Sequence, residues 1–129
     1  MFMVEVNMIT NVASWVLDTG YGAHICNNLQ VLERSKKLSK DEIILRLGDG
    51  KAVAAKAVGS LNIVISDHIR IELKDCYYVP RMIKNIISIP VLDNNGYAFK
   101  MNKNGFIFIF DDNYHLLGTL VNGLYTLQK

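Results

Sequence analysis

The chain has 129 residues, of which 50% are hydrophobic and 20% are charged, and its formal net charge is +2. This composition excludes a disordered chain and predicts one globular domain with a single modest core. The lysines and the arginine of residues 34–40 are followed at once by two acidic residues. This pattern favours a solvated loop over a nucleic-acid interface, and we expect no direct contact with nucleic acid.

Cysteine usage and the first residues indicate the compartment. Cys26 and Cys76 are too few for a disulfide framework, so we expect reduced thiols in an intracellular, cytoplasmic protein. Residues 1–13 are predicted to be an N-terminal extension. They contain Glu5 and no cationic segment, so they do not indicate a signal peptide. No apolar run reaches the ~20 residues of a membrane helix, and we expect no membrane contact.

The first two thirds of the chain predict short strands separated by turns. In chain order the strands are expected at residues 14–17, 43–47, 52–58, 61–65, 69–73 and 76–79. The second and third form a hairpin whose tip is Gly48, Asp49 and Gly50. Gly59 and Ser60 are expected to break the chain after this hairpin, and Asp67 begins a further turn.

The last third predicts one short helix and four strands. The helix covers residues 86–96, with Ser88 as a cap, Pro90 in its first turn and Gly96 at its exit. Asn122 and Gly123 indicate a type I′ hairpin turn. The strands are expected at residues 97–101, 106–110, 115–121 and 124–127. We therefore predict an all-β fold, a closed barrel or a sandwich, with one short helix.

Aromatic residues alternate along the strand at residues 106–110. Phe106, Phe108 and Phe110 share one face of that strand. We predict that this face packs into the core, with contact to a second subunit as the alternative.

Asp18 ends an apolar strand and is followed by Thr19, Gly20 and further glycine-rich backbone. A carboxylate in this position is an arrangement that aspartic proteases use. Five other stretches follow in a specific order, and with residues 15–20 they cover nearly the whole chain from Trp15: residues 22–26, 47–50, 76–80, 84–88 and 122–125. Together they resemble the retropepsin-like aspartic protease domain of a plant Ty1/copia-type retrotransposon Gag-Pol polyprotein.

This resemblance implies a retropepsin-like closed β-barrel that works as a homodimeric aspartic endopeptidase, because each subunit supplies one Asp-Thr-Gly. It implies that Asp18 is catalytic, that Thr19 and Gly20 form the active-site loop, and that residues 48–50 are the tip of a flap over the substrate. The implied partners are a second copy of the chain and a polyprotein substrate, in the context of a virus-like particle. No cofactor and no metal are expected.

One residue departs from the family pattern, and two alternatives stay open. Tyr21 follows the glycine where aspartic proteases generally have a small residue. The chain is therefore alternatively an inactive or domesticated β-barrel module that binds peptide or dimerises. His24, Cys26 and Cys76 also suggest a zinc site that His68 and His115 would complete, although no standard spacing supports it. The other interpretation places both cysteines in the core.

Overall fold

The computed structural model describes residues 15–65, 70–111 and 113–127, and in these ranges the chain is mostly β. The first seven strands are β1 Trp15–Asp18, β2 His24–Cys26, β3 Glu33–Lys37, β4 Ile44–Arg46, β5 Ala52–Ala54, β6 Ala57–Val64 and β7 Arg70–Tyr78. They are followed by β8 Asn85–Ser88, the helix α1 Ile89–Asn94, β9 Ala98–Met101, β10 Phe106–Asp111, β11 Asn113–Val121 and β12 Leu124–Leu127. A single 3₁₀ turn, Leu29–Val31, lies between β2 and β3.

Ten strands form one sheet, in the order β3-β6-β7-β2-β8-β1-β12-β11-β10-β9, and β4 pairs with β5 in a separate hairpin. At the centre, β1 runs parallel to β8 and antiparallel to β12. The strand β8 is inserted between β1 and β2, which are neighbours in the sequence. A late segment of the chain therefore supports the strand that carries Asp18.

The prediction of a closed barrel is wrong for the described residues, because the ten-stranded sheet is open and has β3 and β9 at its edges. All five residues of β3 are exposed, and four of them are charged. The pairing of β3 with β6 shifts register after Glu33, and Arg34 has a φ of 50°. A charged, irregular edge resists pairing with another strand. The predicted solvated loop is thus an exposed edge strand.

Two apolar clusters stabilise the molecule. The larger lies within the curl of the sheet, because strands far apart in the sheet order contribute to it, including Ile71 and Leu73 on β7 and Ile107 and Ile109 on β10. The smaller cluster contains Ile25, Leu38, Ala55 and Val79, and it joins the β4–β5 hairpin to the sheet. Burying each of the isoleucine, leucine and valine side chains among them contributes roughly 1.5–3 kcal/mol.

Several local predictions are confirmed and others are corrected. Ser88 caps α1 and accepts a hydrogen bond from the Val91 amide at 3.2 Å, but Asn85–Ser88 is a strand, so the helix begins three residues later than predicted. Gly59 does not break the chain: it lies within β6, where an added Cβ would be 2.9 Å from the Glu33 carbonyl oxygen. Asn122 and Gly123 both have positive φ, as a type I′ turn requires.

The phenylalanine face of β10 is also a correction. Ile107 and Ile109 are buried, whereas Phe106 and Phe108 are half-buried on the opposite face and Phe110 is exposed. The isoleucines therefore face the core, and the predicted orientation was wrong.

Two predictions concern residues that the structure does not describe. The predicted N-terminal extension, residues 1–13, and the predicted turn at Asp67 lie outside the described residues.

Among the described helices, none has the length and apolar character to cross a membrane.

Gly118 on β11 generates a stability prediction. An added Cβ there would collide with Leu17, the residue before Asp18, and would lie 2.5 Å from the Thr126 carbonyl oxygen. We expect Gly118→Ala to lower the free energy of unfolding by about 1–3 kcal/mol, because the backbone of β12 cannot move aside freely. Urea denaturation measures the change.

Gly48→Ala is the matched control. No atom lies within 4 Å of a Cβ at Gly48, so its effect should stay within about 0.5 kcal/mol. Equal effects of the two substitutions would contradict the close packing assigned to Gly118.

Candidate active site

Asp18 lies at the C-terminal end of β1, where its carboxylate shapes the following loop. The Oδ1 atom accepts hydrogen bonds from the Gly20 and Tyr21 amides, each at 2.8 Å. Asp18 is half-buried, and Thr19 and Gly20 are exposed. Among the described residues, no hydrogen bond is made by Oδ2 or by the Thr19 hydroxyl. One carboxylate oxygen is thus held by the backbone of the loop.

Ser88, at the end of β8, lies beside Asp18 because the parallel register pairs the two residues. Its hydroxyl donates to the Tyr21 carbonyl, and its amide donates to His24 Nδ1 at 2.9 Å. His24 is fully buried, and its Nε2 atom has no partner in the described structure. Burial lowers the pKa of His24 to about 4, although the charge of Asp75 opposes this shift. His24 is therefore neutral at physiological pH.

Tyr21 links the Asp18 loop to the hairpin. Its ring is half-buried and packs against the smaller apolar cluster, and Leu47 of the hairpin packs against the same cluster. Burial and, to a lesser extent, the Asp18 charge raise the pKa of the Tyr21 phenol. The ring therefore lines the cleft at Asp18 and also packs against the smaller apolar cluster.

The tip of the β4–β5 hairpin lies opposite Asp18. Leu47 accepts a hydrogen bond from Gly50 at 2.9 Å, and Gly50 has a φ of 89°, which favours glycine. The side chain of Asp49 accepts from the Lys51 amide at 2.9 Å. Within the described residues, every hydrogen bond of the tip is made inside the hairpin. The tip is ordered by its own contacts and rests on the body through side-chain packing alone.

A cleft runs between the tip and the end of β1 in two lobes. The smaller lobe, of about 400 Å³, is bordered by Asp18, Gly20, Tyr21 and residues 47–49. The larger lobe, of about 650 Å³, has Asp18 and Asp49 in its wall, an apolar lining and the exposed cations Lys51, Arg81 and Lys84 at its rim. The sequence-predicted residues Asp18, Gly20, Gly48 and Asp49 thus meet at one cleft, whereas Thr19 and Gly50 border neither lobe.

The cysteines lie together in the sheet rather than at the cleft. Cys26 and Cys76 are fully buried, and a hydrogen bond between their thiols raises the pKa of Cys76 and lowers that of Cys26. In the described part of the chain, no three His, Cys, Asp or Glu side chains are arranged to hold a metal ion. His68 of the zinc alternative lies outside that part.

Sequence reasoning missed the functional neighbourhood of His24 and Ser88. The sequence patterns indicated His24 only as a candidate zinc ligand and Ser88 only as a helix cap. Their contact joins residues that are 64 positions apart. The signal in the sequence was a histidine six residues after Asp18, but no local pattern indicates that it is buried or which residue it contacts.

The lowered pKa of His24 predicts a stability that falls in acid. The unfolded chain takes up a proton on this residue near pH 6.5, but the folded chain does so only near pH 4. Lowering the pH from 6.5 to 4 should therefore remove up to about 3 kcal/mol of unfolding free energy. Urea denaturation at several pH values measures this slope.

His24→Asn should flatten that part of the slope, whereas His115→Asn on β11 should leave it in place. An unchanged slope in the His24 variant would refute the assignment, because the carboxylates alone would then account for the acid sensitivity.

Comparison with known proteins identifies the family. A family model described as Pol polyprotein, beta-barrel domain, matches residues 15–97, which extend from the start of β1 to the residue before β9. No curated protein and no solved structure matches the chain. The match covers more than half of the chain and includes Asp18, the hairpin and β8. The chain therefore belongs to the Pol polyprotein beta-barrel domain family.

Proposed function

We propose that this domain is a subunit of a homodimeric, retropepsin-like aspartic endopeptidase that cleaves a retrotransposon polyprotein of the plant Ty1/copia type. The observation that carries the proposal is the position of Asp18. It ends a buried central strand, one of its oxygens is held by two backbone amides, and it lines a cleft that the glycine-tipped hairpin also borders. Membership of a Pol polyprotein family supports the polyprotein context.

The requirement for a second copy follows from chemistry. General acid–base attack of water on a peptide needs one ionised and one protonated carboxyl group. Aspartic proteases obtain this state by holding two carboxylates about 3 Å apart, so that the pair shares one proton. Each chain contributes one Asp18, and a two-fold axis beside the loop would bring the two together.

The surface around Asp18 supports such an axis. The exposed Thr19 hydroxyl makes no hydrogen bond in the described structure, and a Cβ at Gly20 would meet only Asp18 Oδ1, at 3.7 Å. Nothing within the described chain therefore demands glycine here, whereas the close approach of a second loop would. The register of β1 with β12 also brings Leu124, which is 39% exposed, opposite Asp18.

In the proposed reaction, the ionised carboxylate removes a proton from water, which attacks the scissile carbonyl carbon. The protonated carboxyl group donates to the carbonyl oxygen, and collapse of the tetrahedral intermediate releases the amine. The Gly20 and Tyr21 amides orient the carboxylate throughout. Residues 48–50 act as a flap, whose internal hydrogen bonds let it move as a unit and exclude water when a peptide is bound.

Asp18→Asn tests the catalytic assignment. The amide cannot act as a general base, so we expect peptide cleavage to fall below detection, by at least 10³-fold in kcat/KM. The fold should persist, because the side-chain oxygen of asparagine still accepts from the Gly20 and Tyr21 amides. The measurement is cleavage of a peptide library at mildly acidic pH, with circular dichroism as the check of folding.

Asp93→Asn, on the exposed face of α1, is the matched control and should retain activity. Cleavage that survives in pure Asp18→Asn protein would assign the chemistry elsewhere. A wild-type chain that binds peptide but never cleaves it would instead indicate the inactive module.

Dilution tests the dimer. Specific activity should fall as the chain concentration drops below the dissociation constant, because a monomer holds half of the catalytic pair. Leu124→Arg should weaken association, since it places a charge beside the proposed axis, and Val64→Arg, at an exposed position on β6, is its control. Sedimentation velocity and peptide turnover are measured on the same samples.

A chain that sediments as a monomer while retaining full specific activity would overturn the dimer proposal.

A further inference from the structure

Two buried polar residues lie directly beneath the Asp18 loop, and the proposed chemistry does not use them. His24 and Ser88 are both completely buried. His24 is placed there by β2 and Ser88 by the end of β8, and these two strands are neighbours in the sheet. Burying an imidazole raises the free energy of the folded state unless its nitrogen atoms have hydrogen-bond partners. In His24, Nδ1 has such a partner, and Nε2 has none among the described residues.

Three hydrogen bonds, linked through the covalent frameworks of Ser88 and Tyr21, connect this imidazole to the carboxylate. His24 Nδ1 accepts from the Ser88 amide at 2.9 Å. The Ser88 hydroxyl donates to the Tyr21 carbonyl, and the Tyr21 amide donates to Asp18 Oδ1 at 2.8 Å. Each step leads from a buried strand toward the exposed loop. The conformation of Tyr21 and the direction of the Asp18 carboxylate are therefore fixed from below by Ser88.

We propose that His24 and Ser88 are positioning residues, which hold the Asp18 loop in its reactive shape only while the imidazole is neutral. This inference rests on the proposed function of Asp18. Neither residue touches the reacting atoms, and both act through Tyr21.

The requirement for a neutral imidazole follows from its donor pattern. In the neutral ring one nitrogen is an acceptor, but in the imidazolium both nitrogens are donors. A protonated His24 would point an N–H group at the Ser88 amide, and the bond that holds β8 at this position would be lost. The imidazole carries its proton on Nε2 in the neutral form, since Nδ1 accepts.

The groups around His24 decide when that protonation occurs. Within the described chain, β7 contributes Asp75 and Cys76, and β2 contributes Cys26 on the strand of His24 itself. The strand β8 contributes no titratable group, and Asp18 lies beyond it on β1. Asp75 alone favours the imidazolium, and burial outweighs it. The loop should therefore stay in place at mildly acidic pH and loosen near pH 4.

The experiment compares kcat and KM from pH 3 to 7 and the hydrogen exchange of the Tyr21 amide in five proteins. They are the wild type, His24→Leu, His24→Asn, Ser88→Ala and, as the control, His115→Asn. In His24→Leu we expect kcat to fall at least tenfold with KM changed less than twofold, and the Tyr21 amide to exchange at least tenfold faster. Ser88→Ala should accelerate the same exchange, because its hydroxyl no longer holds the Tyr21 carbonyl.

His24→Asn provides the rescue. An amide oxygen near the position of Nδ1 accepts from the Ser88 amide at every pH, so this variant should recover at least a third of the wild-type kcat. Its activity should also extend at least half a pH unit further into acid than that of the wild type. His115→Asn should leave the pH profile unchanged.

Two results would overturn the inference: a Tyr21 amide whose exchange is unaltered in both His24→Leu and Ser88→Ala, or a His24→Asn profile with the acid limit of the wild type. If His24→Leu fails to fold, the Ser88→Ala exchange and the His24→Asn profile decide. If the wild type cleaves no peptide, the proposed function is wrong. Hydrogen exchange of the Tyr21 amide then decides by itself whether His24 and Ser88 hold the loop in place.

Discussion

The parallel pairing of β1 with β8 is the contact on which the site depends, because it joins two distant segments at the residue that carries the carboxylate. Asp18 and Ser88 are register partners at the ends of the two strands. The C-terminal ends of parallel strands lie at one edge of a sheet, so the loop after β1 and the helix after β8 begin side by side. Ser88 serves both, as the cap of α1 and as the donor to the Tyr21 carbonyl.

The contacts of the chain differ on the two sides of Asp18. Below Asp18, fully buried residues such as Leu17 and Ile87 fix the strand positions. Above it, the hairpin tip is held by hydrogen bonds of its own and contacts the body through side chains such as Leu47. A carboxylate at the end of a packed strand, facing a hairpin tip that is held by its own contacts, is the arrangement on which the proposed peptide chemistry relies.

Local patterns predicted the elements, but not how distant elements meet. The Ser88 cap and the Asn122–Gly123 turn could be predicted, since each depends on the conformational preference of a few adjacent residues. The sequence could not distinguish the strand β8 from the start of α1. The order of polar and apolar residues in 85–88 is compatible with a strand and with a helix. The strand β10 has two faces, and both are apolar. The choice between burying Ile107 and burying Phe108 therefore depended on the distant strands that pack against β10, which the local pattern does not show. The prediction of a closed barrel was wrong because β3 is a charged edge strand. Its charges could not be told from those of a loop in the sequence.

The same limits apply to the site. The sequence predicted Asp18, Gly48 and Asp49 as site residues from local signals, a carboxylate followed by glycines and a glycine-tipped hairpin. The fold brings these three residues to one cleft. The hydrogen bond between His24 and Ser88 is a long-range contact, and no spacing rule identifies such a pair. The ring of Tyr21 packs against the smaller apolar cluster, whose members lie far apart in the sequence, so no local pattern predicts its position.

The antiparallel pairing of β1 with β12 sets where the described chain begins and ends relative to the cleft. Trp15 and Leu127 lie at the same end of two adjacent strands, about 5 Å apart, and Asp18 lies at the other end of β1, about 10 Å away. The first and the last described residues are thus neighbours across one strand pair, and both lie at the end of that pair that is remote from the carboxylate. Substitutions at this end of the pair are therefore separated from Asp18 by the length of β1.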